Sequence, residues 1–356
     1  MKKLFVVALA VAGIAGYAIG ADEEETAPEG TQKVILKIST VETVGTRTAK
    51  TWNPPAQPLA VQELPYSEAD IANATPEEAA KMAKENRARR LANQKIQASI
   101  ALDAYQKAQE HFEGVKKQLE GTVFGKQVIL AVDKFAGAAG EHFDQDCIEF
   151  FHRMDNDEGD KEQFLKDMGS AETLCAPYFI KLIFDNPREE SGKVVMNGQE
   201  MKRTKYTIAV TYQVQALNGR MATSGNVKKE KVVKSSGAVV RSGREEGVYI
   251  DLIEEALNEV AKRINSHFVA KVTIKAISSG GKKDKDFDAE AATLEIDGVS
   301  ADLDSEISIM KGKHTIVIDL DEYKQKGNTT FTIKKSGPVK IVLKKAAAKK
   351  AKNDDE

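Results

Sequence analysis

Gly137 and Gly140 follow an apolar run at 127–135. A glycine turn between a strand and a helix can cradle phosphate on backbone N–H groups. The G-x-G-x-x-G spacing is incomplete, because Phe135 stands where the first glycine would be, so the residues read as a plain turn. Asp155, Asp157 and Asp160, with Glu158 and Gly159, have the look of a calcium loop. The glycine comes one position early, and Lys166 stands where a bidentate glutamate is needed. A solvated acidic loop capping a following helix fits better. His142, Cys147 and His152 are evenly spaced, but on a helix each step turns about 140°, so they do not converge on a metal. No G-x-S-x-G or H-E-x-x-H occurs, and His111, His267 and His314 have no acid or nucleophile at a telling spacing. These residues imply no catalytic centre, no metal and no cofactor.

Two features remain. Cys147 and Cys175 are the only cysteines. In an oxidising compartment they would form a disulfide worth about 3.5 kcal/mol in the chain-entropy model; two buried free thiols are the alternative. Lys228, Lys229, Lys231, Lys234, Arg241 and Arg244 make one strand and its exit loop basic. Such a surface suits an acidic envelope protein or an anionic envelope polymer. The alternative is a solvated strand face whose lysines block edge pairing.

The elements that position these residues follow from composition and period. With 41% hydrophobic and 30% charged residues, the chain can bury a core. A formal net charge of −2 gives no global case for nucleic-acid binding. Residues 1–20 read as a signal peptide: Lys2 and Lys3, an apolar run from Leu4 to Ile19, and a small-x-small end before Ala21. The expectation is an exported protein of the periplasm or cell envelope, with no membrane span after cleavage.

Residues 21–74 form an extended segment with one strand, in which Val34, Leu36 and Ile38 share a face. Thr75-Pro76-Glu77-Glu78 starts a long helix over 75–121, capped by Thr75 and Glu78. Ala98, Ala101, Tyr105, Ala108, Phe112, Val115 and Leu119 make a heptad-like seam on it. That seam packs on its own domain, or offers a homo-oligomer surface through helix 75–120. Gln127 to Phe135 reads as a strand buried on both faces, followed by short helices near 144–152 and 160–172. Pro177 to Phe184 is another strand. Tyr206 to Val214 alternates, Asn218-Gly219 suits a type I′ hairpin, and a helix with one apolar stripe covers 249–268. A strand over 271–277 closes the unit. Residues 278–292 form a linker, 293–345 a β-sandwich-like module of short strands, and 346–356 a charged tail. The fold class is α+β: a mixed sheet with packed helices, preceded by a long helix and followed by a small all-β module.

The runs VILAVDKF (128–135), AETLCAPYFIKLIF (171–184), VTYQVQALNGRMATS (210–224) and DLIEEALNEVAKRI (251–264) resemble the exported α/β domain of curli-assembly lipoproteins, penicillin-binding-protein activators and the TolB N-terminal domain. Residues 125–277 would form that adaptor-like domain. LEIDG and KGKHTIVIDL within 293–345 resemble a PEGA-type β-module. The resemblance implies a non-enzymatic binding or assembly scaffold acting through protein or glycan contacts. The alternatives are an enzyme with an acidic site near 137–160, or a component of an oligomeric secretion complex.

Overall fold

The computed structural model describes residues 33–44, 62–151, 165, 175–196, 199–235, 243–281, 284–326 and 329–346. The signal-peptide reading, the acidic loop at 155–160, His152, Arg241 and the tail beyond 346 lie outside them.

Strand β1 (Lys33–Thr43) is buried along both of its faces, as a strand sandwiched between helices must be. It pairs in parallel with β2 (Ile148–Phe150) on one side and β3 (Cys175–Phe184) on the other. Next comes β5 (Gln199–Ala216), antiparallel to β3. β4 (Arg188–Met196) continues the line of β3 along the same edge of β5, and β6 (Met221–Ser235) takes β5's other edge. The result is the expected mixed sheet, with six strands. β4 escaped the sequence reading because its Arg, Glu and Lys residues carry no apolar alternation.

Helix α1 (Glu68–Asn73) leads into α2 (Pro76–Leu119), which starts at the Thr75–Glu78 capping box. Ala98, Ala101, Tyr105, Ala108, Val115 and Leu119 are all buried. Their alanines let α2 lie close on β1 and β3, where the Tyr105 hydroxyl donates to the Ile35 carbonyl at 2.8 Å. The first half of α2 is engaged too, because Asn86 and Asn93 hydrogen-bond the backbone of Tyr66 and Gln62. The seam is therefore occupied by the protein's own chain, which removes it as a homo-oligomer surface.

The run at 127–135 is a helix, not a strand. It forms most of α3 (Val123–Gly137), capped by Thr122, whose side chain accepts from the Gly125 amide. Gly125, Val128, Ile129, Val132, Phe135 and Ala136 are buried, while Leu130 is 59% exposed. A short apolar run does not by itself distinguish the two states; the cap and the three-and-four spacing of its buried residues do. After the short α4 (Ala139–His142), the stretch expected as a helix near 144–152 contains β2 instead. Helix α5 (Gly243–Phe268) buries its expected stripe and, with α3, covers the sheet face opposite α2. The turn between β5 and β6 is not type I′. Only Gly219 has positive φ (82°), and its amide donates to Ala216. That is a three-residue loop with a glycine bulge.

The strand expected to close the first unit belongs to the second. β7 (Val269–Ser278) pairs antiparallel with β10 (Glu306–Met310) and parallel with β14 (Gly337–Lys345), which also binds β12 (Tyr323–Gln325). A second sheet contains β8 (Thr293–Ile296), β9 (Val299–Ala301), β11 (Gly312–Asp319) and β13 (Thr330–Ile333). Val272, Ile274, Ile341 and Leu343 of one sheet meet Leu294, Ile296, Ile316 and Ile318 of the other in one core. The span expected as a linker therefore starts at Ser278 of β7 and leads into β8 of the same sandwich, so it does not join two domains. The two bodies meet where Ser308 donates to Asp144 at 2.6 Å and Met310 enters the larger core.

Candidate functional site

β5 has 18 residues, so β4, β5 and β6 form a ribbon about 60 Å long. Alternation splits its side chains between two faces. Tyr206, Ile208 and Val210 turn toward α5, and their partners across the ladder are Lys231, Lys229 and Val227. Lys228, Glu230, Val232 and Lys234 turn to the other face, beside Ala209, Thr207, Lys205 and Arg203 of β5. On that face α2 lies over β1 and β3.

The four lysines of β6 singled out in the sequence are therefore not one patch. Lys231 pairs with Asp251 of α5 at 2.8 Å, which raises its pKa. Lys229 lies near enough to Glu259 to help lower that carboxyl, after the larger effect of the Arg263 hydrogen bond. Lys228 and Lys205 both reach Glu230, at 2.6 and 3.0 Å, and hold its carboxyl below the usual range. Lys234 stands opposite Arg203 on the open face. Arg244 lies in the first turn of α5. β6 carries four lysines and one glutamate, two of the lysines on each face of the sheet.

Cys147 and Cys175 are free and buried, which corrects the disulfide expectation. Cys175 pairs with Lys33, and Cys147 adjoins the same residue from the other side, its carbonyl accepting from Val34. A whole strand separates them, placing their Cα atoms about 10 Å apart where a disulfide needs less than about 7 Å. Burial, with Asp144 and Asp146 nearby, pushes the Cys147 thiol up to about 12. Gly137 ends one helix and Gly140 lies in the next, so there is no strand-to-helix phosphate turn. His142 stacks on Phe135 with ring centroids 4.9 Å apart. Among the described residues no group of His, Cys, Asp or Glu is placed to hold a metal.

The structure also gathers charges that the sequence did not announce. Under α2, Glu42 is fully buried, and Lys181 Nζ lies 3.2 Å from its Oε1 without the alignment of a hydrogen bond. Thr40 Oγ1 and His111 Nε2 lack hydrogen-bond partners. Burial lowers the His111 pKa, Glu42 opposes that, and Lys181 adds to it. Lys37, next along β1, is pulled down to about 8 by burial against the opposing charge of Glu113, and donates to Gln109 at 3.3 Å. The cleft beside it, between α2 and α3, has a volume of about 20 Å³, room for a water molecule and no substrate. Lys37, Glu42 and Lys181 sat inside apolar strand runs, where a single charged residue reads as an outward-facing one.

No protein-family model matches this chain, and no curated protein does. A solved structure described as a neuraminyllactose-binding hemagglutinin homolog from Helicobacter pylori aligns over 70% of this chain and 89% of its own. Identity is 9% and the TM-score 0.27, a likeness too slight to carry an argument.

Proposed function

We propose that this is an exported, non-enzymatic protein of the cell envelope that binds or assembles with a partner through the β4–β5–β6 ribbon. The observation that carries this reading is the ribbon itself. A strand of 18 residues is far longer than the three to ten that a core usually needs. On the face away from α5 its exposed side chains are charged, hydroxyl and amide groups with the apolar Val232 among them, a surface suited to another macromolecule rather than a catalytic cleft. The N-terminal sequence supports export, and the resemblance to exported adaptor domains supports a scaffold.

The test is site-specific photo-crosslinking in cells that make the protein. A photoreactive residue is placed at Arg203 or Val232 on the face of the ribbon away from α5, or at Lys126 on α3 as a control. The expected result is a discrete adduct from the ribbon positions and none from Lys126. Equal labelling from all three positions, or no adduct from any, defeats the reading.

A further inference from the structure

The first half of α2 is strongly basic and lies outside the cores. From 79 to 97 the chain carries Lys81, Lys84, Arg87, Arg89, Arg90 and Lys95 against Glu85 alone. Between Lys81 and Lys95 the helix axis advances about 21 Å, roughly one cation per 4 Å. Among the described residues, none of α2 before Ala98 belongs to a core cluster. Lys81, Lys84, Arg90 and Lys95 are exposed, and Arg89 is half-buried. No ion pair among the described residues engages any of these five. Glu85 accepts instead from the Tyr66 hydroxyl at 2.9 Å, and Glu78 is held in the cap at Thr75. Glu77 and Glu63 are exposed nearby and pair with none of the five. At about 100° per residue, Lys81, Lys84 and Lys95 fall within roughly 60° of one another. Arg89 lies roughly 80° round from Lys81, and Arg90 roughly opposite it. Between the two arginines come Asn86 and Asn93, which hold the backbone of Tyr66 and Gln62.

We infer that this half of α2 binds an acidic polysaccharide, a flexible chain with a carboxylate on each sugar. The surface is separate from the ribbon, so the inference goes beyond the reading above. Charge sets the sign of the partner. The protein as a whole is formally −2, so attraction to a polyanion has to come from a local surface such as this one. The distribution of charge sets the partner's shape. A flat anionic bilayer meets one side of a helix and takes in large apolar residues. Here the cations stand on three sides, and the exposed residues among the lysines are Ala88 and Ala92. A protein partner would be anchored on aromatic or large apolar side chains. Among the described residues of this stretch, no large hydrophobic side chain is exposed. A flexible chain can follow cations round a helix, and arginine grips a carboxylate with paired N–H donors. Carboxylates fixed to sugar rings also lose less freedom on binding than those at the ends of glutamate side chains.

The probe is fluorescein-labelled polygalacturonate, compared with labelled polyglutamate of equal charge and with phosphatidylglycerol vesicles. Binding to the full chain is followed by anisotropy, and vesicle binding by sedimentation. The expected result is saturable binding of polygalacturonate, tighter than that of polyglutamate. It should weaken about tenfold or more as salt rises from about 0.05 M to about 0.3 M. Lys81→Gln, Lys84→Gln and Lys95→Gln together should keep the native melting temperature, since glutamine is nearly as good a helix former, and weaken binding about tenfold or more. Arg89→Gln with Arg90→Gln should also weaken it. Lys324→Gln, Lys340→Gln and Lys344→Gln together remove as much charge from the sandwich and should leave binding unchanged. Absence of polygalacturonate binding overturns the inference. So does an equal loss in the sandwich variant, which would mean attraction to no particular surface. So does polyglutamate binding as tightly, which would make an acidic protein the partner. Vesicle binding that needs the three lysines and neither arginine would make it a membrane, with the same consequence. If polygalacturonate binds as expected while the ribbon gives no crosslink, the ribbon reading alone is lost.

Discussion

His314 shows how a single residue acquires a role from its surroundings. It is buried in the C-terminal sandwich, with Nδ1 2.7 Å from Asp297 Oδ2 and Nε2 2.5 Å from the Met310 carbonyl. Both neighbours are acceptors, so the ring satisfies both only when it carries two protons. Burial pulls its pKa down, but the hydrogen bonds to Asp297 and Met310 outweigh that, and the net shift is upward from 6.5. A raised folded pKa means stability that is fully present below the unfolded value and lost as pH rises through the folded one. The melting temperature should therefore fall as pH is raised from about 6 to about 8, and His314→Gln should flatten that profile. A native profile that stays flat or rises over this window contradicts the arrangement. In the sequence His314 had no acid at a telling spacing, because Asp297 reaches it across a strand pairing and not along the chain. The same holds for Glu42 and Lys181, which meet only because β1 and β3 are neighbours.

At the scale of the element, hydrophobic period worked where an element was long and covered on one side. The seam of α2, the stripe of α5 and the alternation of β5 were all legible, with the cap at Thr75. The run at 127–135 was not, since an apolar stretch of that length suits a buried strand and a buried helix turn equally well. Two substitutions separate the cases. In α3, Val128 is fully buried and Leu130 is 59% exposed. Val128→Asp should cost about 3 kcal/mol or more, and Leu130→Asp no more than about 0.5 kcal/mol, by urea denaturation. A strand buried on both faces would make the two equally damaging.

For the whole molecule, the boundary between the two bodies falls at Phe268–Val269, not within a linker at 278–292. β7 lies between β10 and β14, so the sandwich lacks a central strand without it. A fragment spanning 269–345 should give a β-type circular dichroism spectrum and a cooperative melt. One spanning 279–345 should give neither, having lost Val272 and Ile274 from its core. Cooperative folding of the shorter fragment would restore the linker reading. The sequence by itself determined the α+β class, the long capped helix, the amphipathic helix before β7 and the short strands of the last eighty or so residues, because periodicity and caps are local. Tertiary structure decided the rest. It moved β7 into the sandwich, set a strand between Cys147 and Cys175, split the basic residues between two faces, and left one edge of β6 without a described partner. Each of those depends on which strand lies beside which, and strand adjacency is set by burying faces together over long separations, a property no stretch of sequence carries alone.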